Sequence, residues 1–210
     1  MERISLHHEE AAARAADVLK RGGVILYPTD TLYGLGADAL SDEAVAKVYE
    51  IKGREEGKPT HCIVADLIMA ERYAEVNDLA RALAKEFLPG PLTLILKKRE
   101  GIDTGIAKNF ETFGIRIPDN PFCLALANLF GEPYTTPSAN LAGLVPERSP
   151  QAILHQLGAN ESLISLVVDG SELPPRPSST VVDASSGDLV ILREGAIPAS
   201  KIRDFLGYQQ

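Results

Sequence analysis

At 210 residues, with 45% hydrophobic and 24% charged side chains, the chain can bury a sizeable core and is expected to form one domain over residues 1–210. Its net charge of −8 argues against a surface that grips nucleic acid throughout, although it is compatible with a local basic pocket. The longest apolar runs, such as Val24 to Leu26 and Leu92 to Leu96, fall far short of the roughly 20 residues of a membrane helix, and the start Met1-Glu2-Arg3-Ile4-Ser5 lacks the basic and then apolar character of a secretory signal, so a cytoplasmic protein with no membrane association is expected.

The alanine-rich stretch from Glu9 to Arg21, with Ala13, Ala16, Val18 and Leu19 apolar, predicts an amphipathic helix stopped by Gly22-Gly23. A short β-prone strand follows at Val24 to Tyr27, ended by Pro28. Ser41 or Asp42 can cap the next helix, which carries Val45, Val48, Tyr49 and Ile51 on one face and delivers Lys52 at its end. Cys62 to Ala65 reads as a strand, Asp78 to Phe87 as a helix, and Leu92 to Leu96 as a buried strand entered through Pro89-Gly90-Pro91. Further strands are expected at Phe113 to Ile117, Ser165 to Val168, Thr180 to Val182 and Leu189 to Leu192, with helices near Pro121 to Phe130, Pro150 to Leu157 and Ala199 to Leu206. The late strands lie close together in sequence, which predicts a mixed, partly antiparallel sheet. Cys62 and Cys123 are far apart and lack ligand spacing, so buried thiols are expected rather than a disulfide or a zinc site.

Five segments carry polar chemistry. Pro28-Thr29-Asp30-Thr31-Leu32-Tyr33-Gly34-Leu35-Gly36 puts hydroxyls and flexible glycines at a strand's carboxyl end, where α/β sheets bind ligands, yet a capped turn explains it equally well and it has no P-loop Lys. Lys52-Gly53-Arg54 with Lys58 groups three cations after a helix, either as a solvated C-terminal cluster or as a clamp on a triphosphate. Arg116 interrupts the apolar strand 113–117 and therefore requires an internal carboxylate, a ligand or solvent at a sheet edge; a ligand's natural group is an amino-acid carboxylate. Ser138-Ala139-Asn140 forms a polar turn suited to a small ligand or to starting a helix. Ser178-Ser179-Thr180 and Leu192-Arg193 bring a hydroxyl pair and a cation late in the chain, on strands whose exposed edge would also accept them. His61 and His155 have no positioned partner and are read as non-catalytic, and no Ser/His/Asp, Cys/His or HExxH arrangement is visible. The proline-rich stretch from Glu172 to Ser178 fits a boundary or an active-site lid.

These segments, in this order from about Ala12 to Gly195, resemble the YrdC-like threonylcarbamoyl-AMP synthase family in its single-domain form. The resemblance implies an open twisted mixed α/β sheet with flanking helices around a basic concave site. It implies a nucleotidyltransferase joining L-threonine, bicarbonate and ATP into threonylcarbamoyl-AMP and pyrophosphate, with Mg2+ accompanying ATP, as the first step of tRNA threonylcarbamoyladenosine formation. By the same resemblance Thr31, Arg116, Ser138 and Ser179 contact L-threonine. Arg54, Lys58, Thr112, Asn140, Ser149 and Arg193 contact ATP, and Lys52 with Arg54 forms the catalytic cationic pair. tRNA and the threonylcarbamoyl-transferase machinery are candidate partners. Two departures stand out: the stretch Lys58-Pro59-Thr60-His61-Cys62-Ile63 is more polar than in relatives, leaving Ile63 without an assigned role, and Ala142-Gly143 replaces Ser-Gly, loosening the register at Ser149. No counterpart of the longer relatives' C-terminal domain is expected. Two rivals remain: a double-stranded RNA or tRNA-binding module of the same fold, and a sibling enzyme acting on another carbamoyl compound.

Overall fold

The computed structural model describes residues 1–55 and 57–207. In chain order its first half comprises β1 (Glu2–Ser5), α1 (Ala11–Lys20), β2 (Val24–Pro28), β3 (Tyr33–Gly36), α2 (Asp42–Ile51), β4 (His61–Ile63), α3 (Leu67–Ala70), β5 (Ala74–Glu75) and α4 (Asp78–Phe87). There follow β6 (Leu92–Lys98), β7 (Thr112–Arg116), α5 (Pro121–Phe130), β8 (Tyr134–Thr135), α6 (Pro150–Leu157), β9 (Ile164–Asp169), β10 (Thr180–Asp183), β11 (Val190–Arg193) and α7 (Ala199–Phe205). The starts of α2 to α6 are fixed by side chains that accept from otherwise unpaired backbone N–H groups. Ser41 Oγ accepts from Ala44 N at 3.2 Å, Asn77 Oδ1 from Ala80 N at 2.9 Å and Asn120 Oδ1 from Cys123 N at 3.1 Å.

The strands divide between two open sheets, one of order β1-β9-β2-β3 and one of order β11-β10-β6-β7-β4-β8, with β5 pairing β6. Both mix parallel and antiparallel pairs, as in the parallel β6–β10 and antiparallel β6–β7 pairings. The predicted mixed α/β architecture with flanking helices is therefore present, with its strands shared between two sheets. β1 and β3 escape sequence patterning for physical reasons. β1 buries only Ile4, and β3 is half glycine, because a Cβ at Gly36 would lie 2.7 Å from Ile25 Cγ1 across the hairpin.

Alternation along the strands assigns each face to a different core. In β2, Ile25 and Tyr27 pack with α1 and α5 through Ala15, Leu19 and Leu126, while Val24 and Leu26 pack with α2 and α6 through Val48, Ile51 and Ile153. In the larger sheet, Leu92, Leu94, Leu96, Phe113 and Ile115 face α4 and α7, whose Leu83, Phe87 and Ile202 cover them. The alternate residues of the same strands are Thr93, Ile95, Thr112, Gly114, Arg116, Val181 and Asp183. Register places Thr93 beside Arg116 and Val181, and Gly114 beside Ile95 and His61. This second face is the floor of the site.

Candidate functional site

Arg116 projects from the last position of β7 and is 3% exposed. A guanidinium so buried requires a counter-charge, and the turn after β2 supplies it. Its Nη2 donates to Asp30 Oδ1 at 2.6 Å, its Nη1 donates to Thr31 Oγ1 at 2.8 Å, and its Nε is buried without a hydrogen-bond partner. Arg176, from the proline-rich stretch, donates to the Asp30 carbonyl at 2.9 Å, so that segment lies against the same turn. Thr31, Arg116, Ser138, Ser179 and Arg193 line a single cavity of about 170 Å³. Ser179 is held there by Thr93, whose hydroxyl is 2.9 Å away, and by Arg193, whose Nη2 donates to the Ser179 carbonyl at 2.8 Å.

An adjoining cavity of about 420 Å³ is bordered by Lys52, Arg54, Ser138, Asn140 and Arg193. Lys52, delivered by the C-terminus of α2, is 5% exposed. Its ammonium donates to the Ser138 carbonyl, to the Asn140 carbonyl at 3.0 Å and to Asn140 Oδ1 at 3.2 Å, which ties the helix end to the Ser-Ala-Asn turn. Burial, reinforced by the Arg54 charge, pushes Lys52 down to about 8. Ser138 Oγ donates to Asn140 Oδ1 at 2.5 Å, and Arg54 Nη2 donates to the Pro59 carbonyl at 3.3 Å.

A third cavity, of about 320 Å³, is bordered by Thr112, Ile95, Phe110, Asp183, Leu192 and Arg193. His61 and Arg193 border all three cavities. The His61 imidazole is pushed down to about 3, first by burial and then by the charges of Arg116, Arg193 and Arg54, so it is neutral at physiological pH. Arg193 is also lowered, by burial and then by Arg116. Gly114 makes room for the histidine on the neighbouring strand: a Cβ there would lie 2.9 Å from His61 Cβ.

Of the residues singled out in the sequence, all except Lys58 and Ser149 border these three adjoining cavities. Lys58 is exposed and pairs with Glu55 at 3.6 Å, and Ser149 Oγ caps α6 by accepting from Ala152 N at 3.3 Å. Ile63 is fully buried among Tyr27, Phe122 and Tyr134. Sequence reading missed the contribution of His61 and Thr60. Their position depends on the β4–β7 register, His61 opposite Gly114, which no local pattern reveals. Among the described residues no group of three or more His, Cys, Asp or Glu side chains forms a metal cluster, and no helix is long and apolar enough to cross a membrane.

Polar side chains from separate strands and turns, gathered over one face of an open α/β sheet, line cavities of the kind in which α/β proteins hold small molecules. The family model for Sua5, YciO and YrdC, described as "Telomere recombination", matches residues 17–195, and the chain belongs to this family. It is similar to a Methanocaldococcus jannaschii protein provisionally named threonylcarbamoyl-AMP synthase, 39% identical over 199 residues, or 93% of this chain and 92% of that one. A threonylcarbamoyl-AMP synthase of Bacillus subtilis is 36% identical over 197 residues, which make up 93% of this chain and 56% of the relative. Among solved structures, Pyrococcus abyssi Sua5 complexed with L-threonine matches with a TM-score of 0.89 at 33% identity, covering 99% of this chain and 61% of that one. This chain thus spans somewhat over half the length of the Bacillus and Pyrococcus proteins.

Proposed function

We propose that this protein is a nucleotidyltransferase that makes threonylcarbamoyl-AMP from L-threonine, bicarbonate and ATP, releasing pyrophosphate, and so supplies the first intermediate of threonylcarbamoyladenosine in tRNA. The observation that carries the proposal is a buried guanidinium, Arg116, bordering a cavity that is also lined by Thr31, Ser138 and Ser179. A guanidinium at the wall of a small polar cavity suits the carboxylate of an amino acid. The hydroxyls around it suit a ligand that carries a hydroxyl of its own. The similarity to a Sua5 structure holding L-threonine supports the same reading.

ATP occupies the adjoining cavities in this proposal. Arg54, Arg193 and Lys52 neutralise phosphate charge, Asn140 and Thr112 make polar contacts along the nucleotide, and Lys58 and Ser149 approach it from the rim. Threonine's deprotonated amine displaces hydroxide from bicarbonate, which leaves as water with an amine proton, to give the carbamate; the carbamate oxygen then attacks the α-phosphorus as pyrophosphate leaves. The protein's part is alignment and electrostatic stabilisation, with no enzymic nucleophile. Mg2+ enters with ATP, held mainly by phosphate oxygens and water. The unstable product passes to a threonylcarbamoyl transferase and tRNA, which places the reaction in the cytoplasm.

Purified protein is expected to release pyrophosphate from ATP only when L-threonine and bicarbonate are both present. Release that ignores threonine would support a sibling activity on another carbamoyl compound. No turnover, with RNA affinity falling steeply as salt rises, would support a binding module.

A further inference from the structure

The one-carbon unit must sit between the threonine amine and the α-phosphorus, so it occupies the place where the amino-acid cavity opens into the nucleotide cavity. The polar residues common to both are His61, Ser138 and Arg193. Among the described residues, the His61 ring has no hydrogen-bond partner. Next to it, Thr60 borders the two adjoining cavities, with its Oγ1 buried and without a partner. We propose that His61, with Ser138 and Arg193, forms a subsite for a one-carbon oxyanion, first bicarbonate and then, once the threonine amine has added and water has left, the carbamate. The inference rests on the threonylcarbamoyl-AMP reading given above.

The chemistry of the three side chains is complementary to such a ligand. A neutral imidazole offers one N–H donor and one acceptor nitrogen. The Ser138 hydroxyl proton is committed to Asn140 Oδ1, which leaves its lone pairs for a donor such as the bicarbonate OH or the carbamate N–H. Arg193 spends Nε and Nη2 on the Ser179 carbonyl, and Nη1 takes no part in those bonds. The neutrality of His61 matters because the charged groups bordering its cavities are mostly cationic: Arg116 from β7, Arg193 from β11, and Lys52 and Arg54 at the end of α2; among the described residues, the carboxylates nearby are Asp183 on β10 and Asp30, which is paired with Arg116. A neutral donor orients the oxyanion without adding another charge to that set.

The test uses the full chain with His61→Ala and His61→Asn, each checked for folding by thermal melting. Pyrophosphate release is measured against bicarbonate in degassed buffer, and threonine and ATP affinities are measured separately by calorimetry. His61→Ala is expected to raise the bicarbonate KM about tenfold, the loss of roughly one hydrogen bond, with His61→Asn partly restoring it and threonine and ATP Kd values changing by less than about twofold. The ratio of variant to wild-type bicarbonate KM should stay constant from about pH 5.5 to 7.5, since the imidazole is neutral throughout. An unchanged bicarbonate KM, an equal loss in threonine affinity, or a ratio that changes around pH 6.5 would overturn the subsite. Wild-type turnover that needs no bicarbonate would reject the underlying reaction, and the subsite with it.

Discussion

The two faces of the larger sheet are built from the same strands and do opposite work. On one, Leu92, Leu94, Leu96, Phe113 and Ile115 lie against α4 and α7 and are at most 1% exposed. On the other, Thr112, Gly114, Arg116 and Asp183 border cavities; Arg116 takes its partners Asp30 and Thr31 from a distant turn, while Asp183 accepts from Ser185 close by. Alternate residues of one strand thus serve the core and the cavities separately, because successive side chains point to opposite sides. The separation is incomplete at Arg116, where a cavity-lining residue is also half of a buried ion pair with Asp30, their side chains 4% and 8% exposed.

Arg116 is therefore where the division should break first. Arg116→Met strands a buried carboxylate and is expected to cost about 3–5 kcal/mol of stability, together with about a hundredfold loss in threonine affinity. Adding Asp30→Asn removes the stranded charge. The double variant should regain most of the stability and none of the threonine affinity, as read by denaturant unfolding and calorimetry. Recovery of both together would show that Arg116 acts only as a structural ion pair.

Away from that residue the faces should separate cleanly. Leu94→Ala, at a fully buried position on the covered face, should cost about 2–5 kcal/mol through the cavity it leaves, with substrate KM values unchanged below the new melting point. Arg54→Ala, beside the second cavity and bonded only at 3.3 Å to the Pro59 carbonyl, should leave stability within about 0.5 kcal/mol and weaken ATP use by roughly ten- to a hundredfold. A matching loss of threonine affinity in Arg54→Ala would show that the cavities are not distinct subsites.

How much of this was legible in the sequence follows from how local each signal is. α4, α5 and α6 begin and end where capping residues and hydrophobic spacing put them, since Asn77, Asn120 and Ser149 act on N–H groups three residues away. The conflict at Arg116 was also visible, because an Arg within an apolar strand demands a partner, although nothing in the sequence identified that partner as Asp30. Ser149 shows the reverse case. Its hydroxyl fits a polar motif in the sequence and, in the structure, caps a helix. β3 was read as a ligand-binding turn because Gly34 and Gly36 disguise it, and the two-sheet arrangement depends on long-range pairing such as β1 beside β9. His61 was set aside for want of a partner. Its significance appears only when β4 pairs with β7 and the histidine stands over Gly114 among three arginines.

The most local comparison is between neighbouring residues on opposite faces of β4. Cys62 points into the covered core, where burial pushes its thiol far up and leaves it neutral at any ordinary pH. His61 points to the open face, and its imidazole is neutral because burial and the arginines push it down to about 3. The unfolded chain binds a proton at a free histidine near pH 6.5, whereas the folded chain does not until about 3. Between those values the unfolded state holds more protons. Stability from this residue is therefore complete above about pH 6.5 and is lost as pH falls toward 3. His61→Asn cannot titrate and lacks this dependence. The difference in urea midpoint between wild type and His61→Asn should accordingly shift against the wild type from about pH 7.5 to pH 4.5, while other acid-titrating groups cancel in the comparison. Cys62→Ala, on the covered face, should cost stability by the same amount at both pH values, because its thiol titrates in neither state across that range. A midpoint difference for His61→Asn that is equally flat would mean that burial and the arginines do not hold the imidazole neutral in the folded chain.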